Sequence, residues 1–129
     1  MKTFVLPLPP TVNHTYGTTS KRSGMYKLEA ATSWEKQAQY YLKKSQPELI
    51  RGRVEVGIIW LLNRDRDWDG SLKLLCDALQ DNGIIENDRL IYRAHVEKIV
   101  DRKYRPGRVV INIKPIVDES VPQLPHMDL

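Results

Sequence analysis

Residues 53–62, RVEVGIIWLL, narrow the possible folds of this chain more than any other segment. Val54, Val56 and Ile58 recur at the strand period, and from Gly57 onward the run carries no charge. It is too short to cross a bilayer as a helix, which takes about 20 apolar residues. A short, β-branched, increasingly apolar run bounded by a charged loop reads as a strand. Its apolar character on both faces places it at the centre of a sheet with cover above and below. The period then changes. After the loop NRDRDW, Leu72, Leu75, Cys76 and Leu79 stand at i, i+3, i+4 and i+7, so residues 70–82 read as a helix with these four toward the core. Asp69 is placed as its N-cap. Asn82-Gly83 ends it, with Gly83 free to take the left-handed conformation.

The other elements follow the same rules. Residues 2–8 read as a first strand ended by Pro9 and Pro10. Residues 11–25 are polar and turn-rich, a long basic connection. Residues 29–45 read as a helix with Trp34, Ala38, Tyr41 and Leu42 on one stripe, closed by Pro47. Residues 90–101 and 108–114 read as two further strands, with RKYRPGR between them as a hairpin loop. The order strand, helix, strand, helix, strand, strand implies an α+β fold, a small mixed β-sheet with two main helices packed on one side. Residues 1–115 form one domain, and 116–129, with prolines at 122 and 125, form an extended or disordered tail.

Composition limits the functional classes. A chain of 129 residues suits one core. Twenty Lys and Arg against sixteen Asp and Glu give a net charge of +4, mildly favouring a polyanionic partner. The single cysteine, Cys76, has no internal disulfide partner and reads as a small core residue. One Cys and three scattered His argue against a zinc site, which usually needs clustered N and S ligands. The opening MKTFVLPLPP is broken by proline and does not read as a signal peptide. The expectation is a cytoplasmic protein with no membrane partner.

The chemistry concentrates in RDWDGSLKLLCDAL, 66–79, and the END triplet at 86–88. Asp67 and Asp69 flank Trp68, Lys73 lies one helical turn beyond Asp69, and Asp88 adds a third carboxylate. Hard divalent cations such as Mg²⁺ take oxygen ligands, often one or two carboxylates with water and substrate phosphate. A nearby lysine stabilises charge on a phosphoryl group. The bland alternatives are a helix cap with a dipole-favoured acid, and a surface Asp69–Lys73 pair of only about 0.2–0.5 kcal/mol. Asp77, one turn beyond Lys73, is a second candidate partner for that lysine and reads as structural.

The pattern RDxD-x-x-x-K-x-x-x-DAL, then Gly83, then Asp88 before an apolar strand, resembles the RusA endodeoxyribonucleases, small phage- and prophage-associated Holliday-junction resolvases. The N-terminal strand ending in Pro-Pro, followed by Asn13 and Tyr16 in a basic loop, is similar too. The resemblance covers roughly residues 4–114. It implies a metal-dependent nuclease that makes paired symmetric nicks in four-way DNA junctions, leaving 5′-phosphate and 3′-hydroxyl ends. It implies Asp67, Asp69 and Asp88 as metal ligands for Mg²⁺, with Mn²⁺ able to substitute, and Lys73 as the catalytic or phosphate-contacting lysine. Arg66 is implied as a DNA contact, and no small-molecule cofactor is implied. Two departures stand out. Gly70 occupies a position where the family commonly has Asn, and Asn87-Asp88 replaces a pair of acids.

One geometric problem points to assembly. A helix over 70–82 is about 18–20 Å long, and the five residue steps from Gly83 to Asp88 span at most about 17–18 Å. One chain barely returns Asp88 to Asp69, so either the helix is shorter or Asp88 comes from a partner subunit. Paired nicks also require two sites. An intertwined homodimer is the expectation.

Other cations, Arg64, Lys21, Arg22, Arg102, Lys103, Arg105 and Arg108, fall in predicted loops and read either as a phosphate-tracking surface or as a solvated rim. Of these, Arg64, Lys21 and Arg22 join Arg66, Asn13 and Tyr16 as the DNA-contact candidates. Trp68 either stacks on an unpaired base or packs beneath its loop. His14 and His95 are candidate general bases, but a lone His is usually structural, and both read so. Two competing functions are a non-catalytic branched-DNA-binding protein of the same fold and a sugar-nucleotide transferase using Asp-x-Asp. The second needs more chain than 129 residues provide.

Overall fold

A computed structural model describes residues 1–11, 16–19, 22–27 and 29–117, and side chains are described outside 12–28. The sheet is built on β4 (Val54–Leu62), whose side chains alternate between fully and partly buried along its whole length. Val54, Val56, Ile58, Trp60 and Leu62 are buried. The other face (Glu55, Gly57, Ile59 and Leu61) is only half covered, because both helices pack on one side. The uniformly apolar end of β4 thus has a buried face and a half-wet one, not two buried faces.

β4 is flanked by β5 (Ile91–Val100), parallel, and by β6 (Arg108–Pro115), antiparallel. β1 (Lys2–Pro7) pairs antiparallel with β6, giving the order β1-β6-β4-β5. This is the mixed four-stranded sheet of an α+β fold. Parallel pairing needs a crossover, and α2 (Asp69–Asp81) supplies it between β4 and β5. The last two strands do not form a hairpin. They lie on opposite sides of β4, and loop 101–107 passes over the end of β4 to join them. Two strand spacings, about 10 Å, are within reach of seven residues, so length alone did not separate a hairpin from this hop. Asp101 N–H donates to Leu62 O at 2.8 Å where the loop crosses. Gly107 lies so close to β4 that a Cβ there would sit 2.9 Å from Leu61 O.

α1 (Glu29–Lys43) buries Ala31, Trp34, Ala38 and Leu42. Tyr41, expected on that stripe, is exposed. Trp34 Nε1 donates to Pro7 O at 2.8 Å and ties α1 to the end of β1. α2 buries Ser71, Leu74, Leu75, Ala78 and Leu79. The expected stripe shared Leu75 and Leu79 but placed Leu72 and Cys76 inward, and both are only half-buried. With leucines at 72, 74, 75 and 79, two overlapping stripes satisfy the helical period. The sheet selected the one containing Ala78, whose small side chain permits close approach.

α2 stops as its sequence indicates. Gly83 has φ of 72°, Gly83 N–H donates to Gln80 O and Ile84 N–H to Leu79 O, at 3.1 and 3.0 Å. That is the paired bonding of a Schellman cap, sealed by the buried Ile84 and Leu79. Within the segment read as a polar connection, β2 (Tyr16–Thr19) and β3 (Arg22–Lys27) pair antiparallel as a separate two-stranded sheet. Their sequences, YGTT and RSGMYK, carry no apolar alternation to announce strands. Asn13, His14, Lys21 and the tail from 118 lie outside the described residues, and the side chains of Tyr16 and Arg22 are not described.

Candidate active site

The acid pair lies where β4 ends and α2 begins. Trp68, not Asp69, is the N-cap residue of α2, and no side chain among the described residues caps the helix there. Asp69 is the first residue of the helix proper. Its carboxylate therefore remains exposed, as does that of Asp67, and among the described residues neither carboxylate has a hydrogen-bond or ion-pair partner. Trp68 packs against the core between them, which turns the two acids outward. A shallow cleft is lined by Asp67, Trp68, Asp69 and Lys98.

Lys98 was not singled out in the sequence. It reaches the cleft because the parallel register sets it opposite Trp60 near the end of β4. Its Nζ donates to Asp65 Oδ1 at 2.6 Å and to Arg66 O at 3.4 Å. The hydrogen bond to Asp65, with smaller help from the charges of Asp65 and Asp67, raises its pKa above the ordinary lysine value. The cleft therefore carries a permanent cation beside two unpartnered carboxylates. No local pattern marks Lys98, because its place depends on strand order.

Arg66 faces inward. Its Nη2 donates to Pro9 O at 2.7 Å and to Ser71 Oγ at 3.1 Å. The buried Ser71 hydroxyl donates to Pro10 O at 3.0 Å. Burial lowers the pKa of Arg66. This clamp fixes the Pro9-Pro10 end of β1 against the start of α2, so the chain leading into the basic segment begins beside the acid pair. Arg64, by contrast, is exposed and lines a separate cleft with Asn63, Arg102 and Arg105.

Lys73 and Asp88 lie further along α2. Lys73 Nζ is 3.1 Å from Asp77 Oδ1, and the lysine side chain is 71% exposed. Asp88 opens a 3₁₀ turn, Asp88–Leu90, capped by Asn87, whose Oδ1 accepts from Arg89 N–H at 2.9 Å. The Asp88 N–H donates to Gln80 Oε1 at 3.0 Å. Its carboxylate also acts on Cys76. Burial first, then the charges of Asp88 and Asp77, push that thiol up to about 11. Asp88 thus sits against the third and fourth turns of α2. Cys76 is seven residues from Asp69, a rise of about 10 Å along the helix. Among the described residues, no three His, Cys, Asp or Glu side chains gather as a metal-binding group.

An exposed pair of carboxylates provides oxygen-only ligands, which suit a hard divalent cation that completes its shell with water and phosphate. A lysine lies alongside, and arginines stand at the same end of the sheet, so the cleft has the charges that phosphodiester chemistry requires. Sequence comparison is specific. The chain matches the family described as Endodeoxyribonuclease RusA over residues 7–114. It is similar to the crossover junction endodeoxyribonuclease RusA of Aquifex aeolicus (strain VF5), with 34% identity over 98 residues, 74% of this chain and 76% of the relative. The chain belongs to the RusA endodeoxyribonuclease family. No helix among the described residues is long and apolar enough to cross a membrane.

Proposed function

We propose that this protein is a metal-dependent endodeoxyribonuclease that resolves four-way DNA junctions by paired nicks. Family membership supports the reaction class, and the exposed, unpartnered Asp67–Asp69 pair is the observation that carries the site. These two carboxylates would hold the divalent cation, Mg²⁺ with Mn²⁺ as substitute. When bound, that ion supplies a water of lowered pKa and a polarised phosphodiester. Lys98 provides positive charge for the phosphoryl oxygens at the same cleft. Lys73 serves as a second phosphate contact once released from Asp77, and an exposed ion pair of this kind opposes release by at most about 1 kcal/mol. The test is nicking of labelled four-way junction and duplex DNA with Mg²⁺, Mn²⁺ or chelator. Symmetric nicks in the junction that vanish with chelator are expected. Tight junction binding without nicking in either metal would favour the non-catalytic alternative.

The working unit in this reading is a homodimer whose sites are shared. Asp69, Leu72, Cys76 and Gln80 lie on one face of α2, with Leu72 and Cys76 half-buried there and Asp88 against the far end. A second copy packed on this face, antiparallel about a two-fold axis, would bring its Asp88 toward Asp69. Mixed dimers of Asp67→Asn and Asp88→Asn chains then keep one intact site, so junctions should receive single nicks while either homodimer is inactive. Verified mixed dimers that never nick would sink the shared-site arrangement.

A further inference from the structure

Arg64 lies two residues beyond the end of β4 on one side of the second cleft, and Arg102 and Arg105 face it from the loop that passes over that strand end, with Asn63 completing the lining. These residues are distant in sequence and meet only because β6 lies on the far side of β4 from β5. Among the described residues, none of the three guanidinium groups has a hydrogen bond or ion pair with a side chain.

The nearby acids are already engaged. Asp65 accepts from Lys98, and Asp101 Oδ1 accepts from Lys103 N–H at 2.9 Å. Three unpaired guanidiniums around one cleft repel one another, and an anion with several oxygens relieves that repulsion.

The loop is also built to stay in place. Asp101 N–H is bonded to Leu62 O, Tyr104 N–H returns to Asp101 O at 3.1 Å, and Gly107 is pressed against Leu61 O. Lys103 Nζ and the Arg108 guanidinium lie 5.3 and 5.5 Å from the centroid of the Tyr104 ring. Cations held on a fixed loop lose little freedom when they bind.

We propose that Arg64, Arg102 and Arg105 form a cradle for one backbone phosphate of a DNA arm beside the cleavage cleft. Arg64 is three residues from Asp67, a span of at most about 11 Å. The arginine side chains on one side and the acid pair on the other extend that reach, so the cradled phosphate and the phosphate that is cut belong to the same arm. The cradle reads no base. It fixes how far along the arm the acid pair falls, and it rests on the proposed nuclease reading for the cut itself.

The test compares the full chain with Arg102→Gln/Arg105→Gln and, separately, Arg64→Gln, using a four-way junction and a duplex in chelator. Each lost phosphate contact should reduce the slope of log binding constant against log salt by about 0.9. Because the three guanidiniums share one phosphate, the double variant should lose up to about 0.9 in slope for each chain engaged, and Arg64→Gln a smaller part of it, equally on arms of any sequence. An unchanged slope in both variants, with melting temperature unchanged, would overturn the cradle. Slopes that fall while wild type fails to nick in metal would keep the cradle and reject the nuclease reading. Wild type that binds no DNA would reject both.

Discussion

Asp67→Asn is expected to abolish junction nicking while leaving junction binding in chelator as tight as wild type or tighter. Both acids are exposed, and the Asp67 carboxylate supports no hydrogen bond among the described residues. The change therefore removes a charge with little effect on the fold. Losing a group that merely orients a metal ligand weakens metal affinity 10–100-fold, so losing one of two carboxylate ligands should lower single-turnover nicking by at least about 100-fold. Binding should not suffer, because a negative charge facing a polyanion has been neutralised. Single-turnover nicking in Mg²⁺, binding in chelator and thermal melting together separate the possibilities. Nicking within a few-fold of wild type would remove Asp67 from the ion site. A large fall in melting temperature would mean the residue has a structural role that its exposure does not reveal.

The second large effect is on stability. Trp60→Ala should cost about 3–5 kcal/mol, the usual range for truncating a buried aromatic core residue. Trp60 is fully buried near the end of β4, opposite Val109 on β6 and Lys98 on β5. Against a typical total stability of about 5–15 kcal/mol, this removes a fifth or more. Its Nε1 is also buried without a hydrogen-bond partner among the described residues. Trp60→Phe gives up volume but also removes that unsatisfied donor, so its cost should stay below about 2 kcal/mol. Urea unfolding reads both, with the midpoint moving and the slope unchanged. A Trp60→Ala midpoint within about 1 kcal/mol of wild type would show that the core collapses around the gap. Because β4 ends at the acid pair and carries Arg64 just beyond, this variant should also lose nicking at temperatures where wild type still works.

Much of the domain is legible in its linear sequence because the causes are local. The strand at 54–62, the helix ending at Asn82-Gly83, the helix beginning near Glu29 and the paired acids at 67 and 69 are each announced by neighbours a few residues away. Apolar period, a glycine able to take positive φ and a polar loop act within one or two turns. The family pattern is readable for the same reason, since its acids and lysine lie within a few turns of one helix.

What the sequence could not determine depends on strand order and facing surfaces. Two leucine stripes on α2 are equally periodic, and only packing on the sheet chose the one with Leu74 and Ala78. Arg66 looks like a surface cation until β1 presents Pro9 O to it. Lys73 has acids on both sides along its helix, and the fold pairs it with Asp77. Asp88 stands near Asp69 in the linear pattern, yet lies against the far turns of α2 because a 13-residue helix intervenes. Lys98 joins the acid cleft through the parallel register of β5 on β4. Arg102 and Arg105 meet Arg64 because loop 101–107 passes over β4 instead of closing a hairpin. Apart from the Lys73–Asp77 pair, which lies within one helix, these contacts join elements whose proximity is decided by which strand pairs with which, an energy summed over the whole core that no local segment contains.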